Sequence, residues 1–123
     1  PLRDGSASGA IVAFGIRNLA DLDAGLREVL RVLRPGARFV ILEFTTPRSR
    51  VMRALYHAYF HHVLPVVGNT ISGHATAYRY LPESVKNFPE ADALAARMTR
   101  AGFRNVTWST LSFGIAAIHR GEK

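Results

Sequence analysis

Residues 10–44 read AIVAFGIRNLADLDAGLREVLRVLRPGARFVILEF, and this stretch decides the fold. Ala10–Phe14 is a short apolar run between Gly9 and Gly15, and it reads as a buried strand preceded by a loop over residues 1–9. Asp21 is placed to cap a helix. The residues after it put Leu22, Leu26, Val29, Leu30 and Leu33 on one face and Arg27, Glu28, Arg31 and Arg34 on the other, with a stop at Pro35-Gly36. Phe39-Val40-Ile41-Leu42 is apolar at successive positions, which predicts an interior parallel strand covered on both faces. Strand, helix and strand with short turns make a βαβ unit, whose crossover is right-handed by rule.

Working outward, Glu43 ends the second strand and Thr45-Thr46-Pro47 turns away from it. Val51, Met52, Leu55, Tyr56, Tyr59, Phe60 and Val63 form an apolar helical face, stopped near Pro65. Residues 66–77 read as a long loop of the kind used for lids and binding. A short helix is expected over 80–88 and a longer one over 90–101, with Gly102 as its left-handed terminator. Val106–Leu111 and Ile115–His119, joined around Ser112-Phe113-Gly114, predict a closing antiparallel hairpin. There is no internal repeat or interdomain linker, so residues 1–123 are read as one domain or part of one.

Composition narrows the class. The chain is 48% hydrophobic and 20% charged, as in a soluble globular protein. No run of about 18 apolar residues is present, and the first residues do not read as a signal peptide. The absence of cysteine fits a cytoplasmic protein. A net charge of +7 invites a nucleic-acid reading, but the sixteen Lys and Arg are scattered rather than clustered, so no nucleic-acid partner is expected. The same charge suits the anionic inner face of a membrane.

The motifs Phe14-Gly15-Ile16-Arg17-Asn18, His62-Val63-Leu64-Pro65 and Tyr78-Arg79-Tyr80-Leu81 occur in this order. With Arg31-Val32-Leu33-Arg34-Pro35-Gly36, Leu42-Glu43-Phe44 and the ending His119-Arg120-Gly121, they resemble the ubiquinone/menaquinone biosynthesis C-methyltransferases over nearly the whole chain. The resemblance implies an α/β, Rossmann-like fold that uses S-adenosylmethionine (SAM), with a seven-stranded sheet whose last strand is inserted antiparallel. This chain is expected to be the C-terminal half of that fold, without the N-terminal SAM-binding half. It begins on proline, as a chain cut from something longer would, and it contains no G-x-G-x-x-G. Departures from the family pattern are Ala7-Ser8 in place of an aromatic–acidic pair, Ala13 for serine, Phe113 for a small residue and Glu122 for an aromatic.

What the resemblance implies for chemistry is methyl transfer from SAM to a ring carbon of a polyprenyl quinol. That needs in-line placement and removal of a phenolic proton. Ligands of open α/β sheets sit at the carboxyl ends of the strands, so Arg17 and Asn18 are the expected catalytic pair. Arg17 would hold a developing phenolate unless it simply pairs with Glu43. Ala13 and Phe14 would lie beside SAM, and Glu43, His74, Tyr78 and Tyr80 would meet the quinol. The two tyrosines and the aromatic stripe Tyr56, Tyr59, Phe60 also fit a packed core or, for the stripe, an isoprenoid channel. His57 and His61 have helical spacing, but no third ligand accompanies them, so no metal is expected. His62 and His119 read as packed residues.

Without the strand that would flank it, the run containing Ile11, Val12 and Phe14 is an apolar edge, and a homodimer through that edge is expected. Two rival readings stay open. One is a non-catalytic quinol- or protein-binding module that has lost SAM; the other is a basic nucleic-acid binder.

Overall fold

The computed structural model describes residues 1–47, 49–63, 66 and 85–123, with the backbone alone at Phe60. The sheet contains β1 (Ala7–Ala13), β2 (Leu33–Phe44), β3 (Arg104–Leu111) and β4 (Ala116–Glu122). Its helices are α1 (Leu22–Val32), α2 (Arg50–Ala58, continued by a π-helical turn Tyr59–Val63) and α3 (Ala91–Ala101). Strand order is β1-β2-β4-β3. β1 and β2 are parallel, and β4 is antiparallel to both of its neighbours. The parallel pair, the closing hairpin and the inserted last strand are all as the sequence predicts.

Helix α1 forms where the pattern placed it. The Asp21 carboxylate accepts a hydrogen bond from the Ala24 amide at 3.0 Å, satisfying one of the orphan donors of the first turn. Leu22 and Leu26 enter the core with Leu94 and Met98 of α3 and with Leu33, Phe39 and Ile41 of β2. The helix ends at Val32, earlier than Pro35-Gly36 suggested. A residue before proline is pushed toward extended backbone, and here the extended segment already begins at Leu33 (ψ 142°). β2 therefore starts at Leu33, and Gly36 accommodates a positive φ of 82° within it. The loop expected over residues 1–9 is correspondingly shorter, because Ala7 and Gly9 pair with Leu33 and Arg38.

Only one face of β2 is fully covered. Phe39, Ile41 and Glu43 are buried, whereas Val40, Leu42 and Phe44 on the opposite face are half-buried. The expectation of two covered faces is corrected to one and a half.

Helix α3 ends on Gly102 as predicted, at φ 118°, with its amide directed to the carbonyls of Met98 and Thr99. A Cβ here would also lie 2.8 Å from Leu30 Cδ2. Gly102→Ala is expected to destabilise the chain by about 1–2 kcal/mol, read as a lower denaturant midpoint with an unchanged slope.

Helix α2 departs further from expectation. Tyr56 is buried with Val85 against Phe44 and Ile115. Val51, Leu55, Tyr59 and Val63 are exposed, so the predicted apolar face is only partly a core face. His62 is exposed rather than packed. His119 is packed: it is 2% exposed, and its Nε2 donates to the Ala91 carbonyl at 2.7 Å, joining β4 to the start of α3. Burial holds its imidazole below the ordinary value, and the Ala91 bond partly opposes that shift. The long loop over 66–77 and nearly all of the short helix expected over 80–88 fall outside the described residues.

Candidate functional site

β1 and β2 are parallel, so their carboxyl ends open on the same rim. β1 leaves the sheet at Phe14, whose amide still reaches the Leu42 carbonyl at 2.8 Å but whose φ is 56°. A positive φ at a bulky residue is held only where its surroundings over-determine it. The Phe14 ring packs on Phe44 with centroids 4.8 Å apart. A tight turn over Ile16–Asn18 follows, anchored by Ile16 in the core.

That turn presents Arg17 to the end of β2. Arg17 Nη1 donates to Glu43 Oε1 at 2.8 Å and to the Phe14 carbonyl at 2.6 Å. The Arg17 amide lies 3.4 Å from Glu43 Oε2, and the Phe44 amide donates to Glu43 Oε1 at 2.9 Å. The guanidinium carbon sits 5.6 Å from the Phe44 ring centre. The side chains of the pair are 11% and 2% exposed, so a cation and a carboxylate are held together almost out of water. Such a pair persists only with its geometry and hydrogen bonds largely satisfied.

The structure thus brings together Arg17 and Glu43 and sets Asn18, exposed, in the same turn. The structural pairing weighed from sequence is present, and Glu43 is turned toward Arg17 rather than out into the crevice. Ala13 and Phe14 lie exposed at the end of β1, an apolar ledge on this rim. Among the described residues the buried carboxylate of the rim is Glu43, and it is committed to Arg17. His74, Tyr78 and Tyr80 lie outside the described residues.

Tyr56 belongs to this neighbourhood, which its sequence readings as core or as channel lining do not include. Burial pushes its phenol up to about 12, and the positive charge of Arg17 acts in the opposite direction. The unfolded value is about 10, so between pH 10 and 12 the folded chain retains a proton that the unfolded chain releases. Stability present below pH 10 is therefore lost as pH rises through 12. Tyr56→Phe should flatten the alkaline limb of a plot of denaturant midpoint against pH. An unchanged limb would assign it to another group.

Beyond Glu43 the chain walls a half-open cavity of about 250 Å³ with Thr45, Thr46, Ser49, Glu90 and Trp108. Thr45 is 6% exposed, and its hydroxyl has no hydrogen-bond partner among the described residues.

The fold is that of SAM-dependent methyltransferases. A SAM-dependent methyltransferase from Thermotoga maritima, described as a possible histamine N-methyltransferase, superposes with a TM-score of 0.66 at 18% identity, over 100% of this chain and 59% of that one. A second structure, PigF with SAH, gives 0.60 at 19% identity, over 99% and 32%. Residues 1–123 match the ubiE/COQ5 methyltransferase family, and the chain belongs to it. The demethylmenaquinone methyltransferase of Thermus thermophilus is 49% identical over 123 residues, covering all of this chain and 56% of that protein. The ubiquinone/menaquinone biosynthesis C-methyltransferase UbiE of Geotalea daltonii is 49% identical over the same length, covering 52% of its own. The chain spans about half the length of the curated relatives it matches.

One expectation is corrected by these matches. The chain was expected to be the C-terminal half of the domain, whereas the matched stretch is assigned to the N-terminal part of the relatives.

Proposed function

We propose that this chain forms part of an enzyme that methylates a ring carbon of a polyprenyl benzoquinol or of demethylmenaquinol, with SAM as methyl donor. The observation that carries the reading is the buried Arg17–Glu43 pair at the carboxyl ends of β1 and β2, in a chain of this family. SAM, when bound, supplies a methyl group on a sulfonium, with Ala13 and Phe14 beside it. The acceptor ring carbon would be nucleophilic only once the quinol had given up a phenolic proton, so the site would need one group to take that proton and another to hold the resulting phenolate. Arg17 stabilises the phenolate oxygen, Asn18 hydrogen-bonds the quinol, and Glu43 acts as a positioning residue by orienting Arg17. His74 accepts the phenolic proton, and Tyr78 and Tyr80 cap the ring.

Because the chain spans about half of its relatives' length, the activity belongs to the full-length protein. The test uses the chain extended to that length, SAM, and a short-chain demethylmenaquinol. Arg17→Met is expected to lower kcat by about 100- to 1000-fold while leaving SAM affinity unchanged by calorimetry. Methylation undiminished by the substitution would remove Arg17 from the chemistry. A full-length protein that binds quinol but not SAM would instead be a non-catalytic module.

Two further parts of the reading concern assembly. The substrate's prenyl chain is lipid-soluble, and we place the protein at the inner face of the membrane. No helix among the described residues is long and apolar enough to cross it. β1 pairs only with β2 among the described strands, and Ile11 is 77% exposed on it. Self-association through that edge should appear as concentration-dependent sedimentation, abolished by Ile11→Lys.

A further inference from the structure

We propose that α2 and its π-helical continuation form the surface by which this protein docks on an anionic lipid bilayer. The inference rests on the membrane-face reading above and names the surface responsible. Residues 50–63 contain Arg50, Arg53, His57, His61 and His62 and no Asp or Glu, in a chain that carries nine acids elsewhere. Of the eleven large apolar side chains exposed among the described residues, five lie between Val51 and Val66. Val51, Leu55, Tyr59 and Val63 fall four residues apart and so share one side of the helix. Val51 is 68% exposed and Leu55 58%.

α2 is held to the sheet at Tyr56, which is buried against Phe44, Ile115 and Val85, while Val51 and Leu55 stay exposed. Arg53 is tied back by its Nε to the Pro47 carbonyl at 3.0 Å, which leaves it part-buried at the margin. Arg50 and His61 are exposed beside the apolar stripe, and the His57 and His61 rings stack with centroids 5.8 Å apart. An apolar line flanked by Arg50 and Arg53, with no carboxylate on the helix, is the pattern of a helix lying in a lipid interface.

Charge decides between occupants. A second copy seated on this face would bring two chains of net charge +7 together with no acid on α2 to meet the basic margin. An anionic leaflet supplies the missing sign, with an affinity gain of about fivefold per nearby cation.

The test is co-sedimentation of the chain with phosphatidylcholine vesicles and with the same vesicles containing phosphatidylglycerol. Binding is expected only with phosphatidylglycerol and should weaken with added salt. Leu55→Glu and Arg50→Glu alter exposed positions, and circular dichroism checks that each stays folded. Leu55→Glu should lower partitioning about tenfold or more, and Arg50→Glu by a smaller factor. Should either variant fail to fold, Val51→Glu reports on the same stripe. Wild-type protein that ignores both vesicles overturns the surface together with the membrane-face reading. Wild-type and variants binding equally well would overturn the surface alone. A dimer dissolved by Leu55→Glu, without vesicle binding, would give the face to a second copy and overturn the proposal.

Discussion

Arg17→Met is expected to destabilise the chain by about 3–5 kcal/mol, because the substitution leaves the Glu43 carboxylate buried with its charge unpaired. Glu43 is 2% exposed and accepts from the Arg17 side chain, the Arg17 amide and the Phe44 amide. Removing the guanidinium leaves two weak amide donors to offset the desolvation of a full charge. Glu43→Leu, the converse change, removes the carboxylate from a guanidinium that is itself 11% exposed and leaves it the Phe14 carbonyl and the Phe44 ring. The double variant Arg17→Met, Glu43→Leu should be less destabilised than the sum of the two, since a buried pair exchanged for apolar groups of similar volume is often neutral. Denaturant midpoints of the four proteins form the cycle. Additive losses would mean that the pair is not a unit. Activity separates from stability in the same set: every variant lacking Arg17 should fail to methylate in the full-length protein, including the double variant that folds well. A double variant that folds and methylates would leave the pair with a purely structural role.

Much of the fold was legible because its signals are local. Asp21 caps α1 through a hydrogen bond three residues away, and Gly102 terminates α3 with a backbone conformation that costs glycine little. The runs Ala10–Phe14 and Phe39–Leu42 carry strand character in their own composition, and the hairpin around Ser112-Phe113-Gly114 closes over a few residues. What escaped depends on what lies opposite. The period of α2 announces a stripe, but nothing in a period says whether anything covers it: Tyr56 found Phe44 and Ile115, and Leu55 found solvent. Glu43 reads as a rim residue with two roles open, and only the turn over Ile16–Asn18 decides that it faces Arg17. Tyr56 escaped as a neighbour of Arg17 because residues 39 apart in sequence carry no local mark of proximity. The early end of α1 was available in principle, since Pro35 biases the residue before it, and a continuing apolar rhythm through Leu33 concealed it.

Leu26→Ala should be the most damaging apolar truncation in α1, at about 3–5 kcal/mol. Leu26 is completely buried, and so are Leu33, Ile41 and Met98 of the same cluster. These residues come from α1, β2 and α3, so the Leu26 side chain sits where two helices meet the sheet. Relaxation cannot readily fill the void, because β2 is fixed by ladders on both sides and α3 is tied to β4 through the His119–Ala91 bond. Val29 lies on the same helix and is only partly buried, so Val29→Ala should cost roughly 1 kcal/mol by the transfer of fewer carbons. The comparison discriminates between two views of α1. If α1 is merely a solvated cover held by Asp21 and by the ion pairs of Arg31 with Asp4 and Glu28, the two truncations will cost the same. If it is the wedge between α3 and the sheet, Leu26→Ala will lower the denaturant midpoint several times further than Val29→Ala. It should also loosen the rim, because Ile16, which anchors the Arg17 turn, packs in this same cluster.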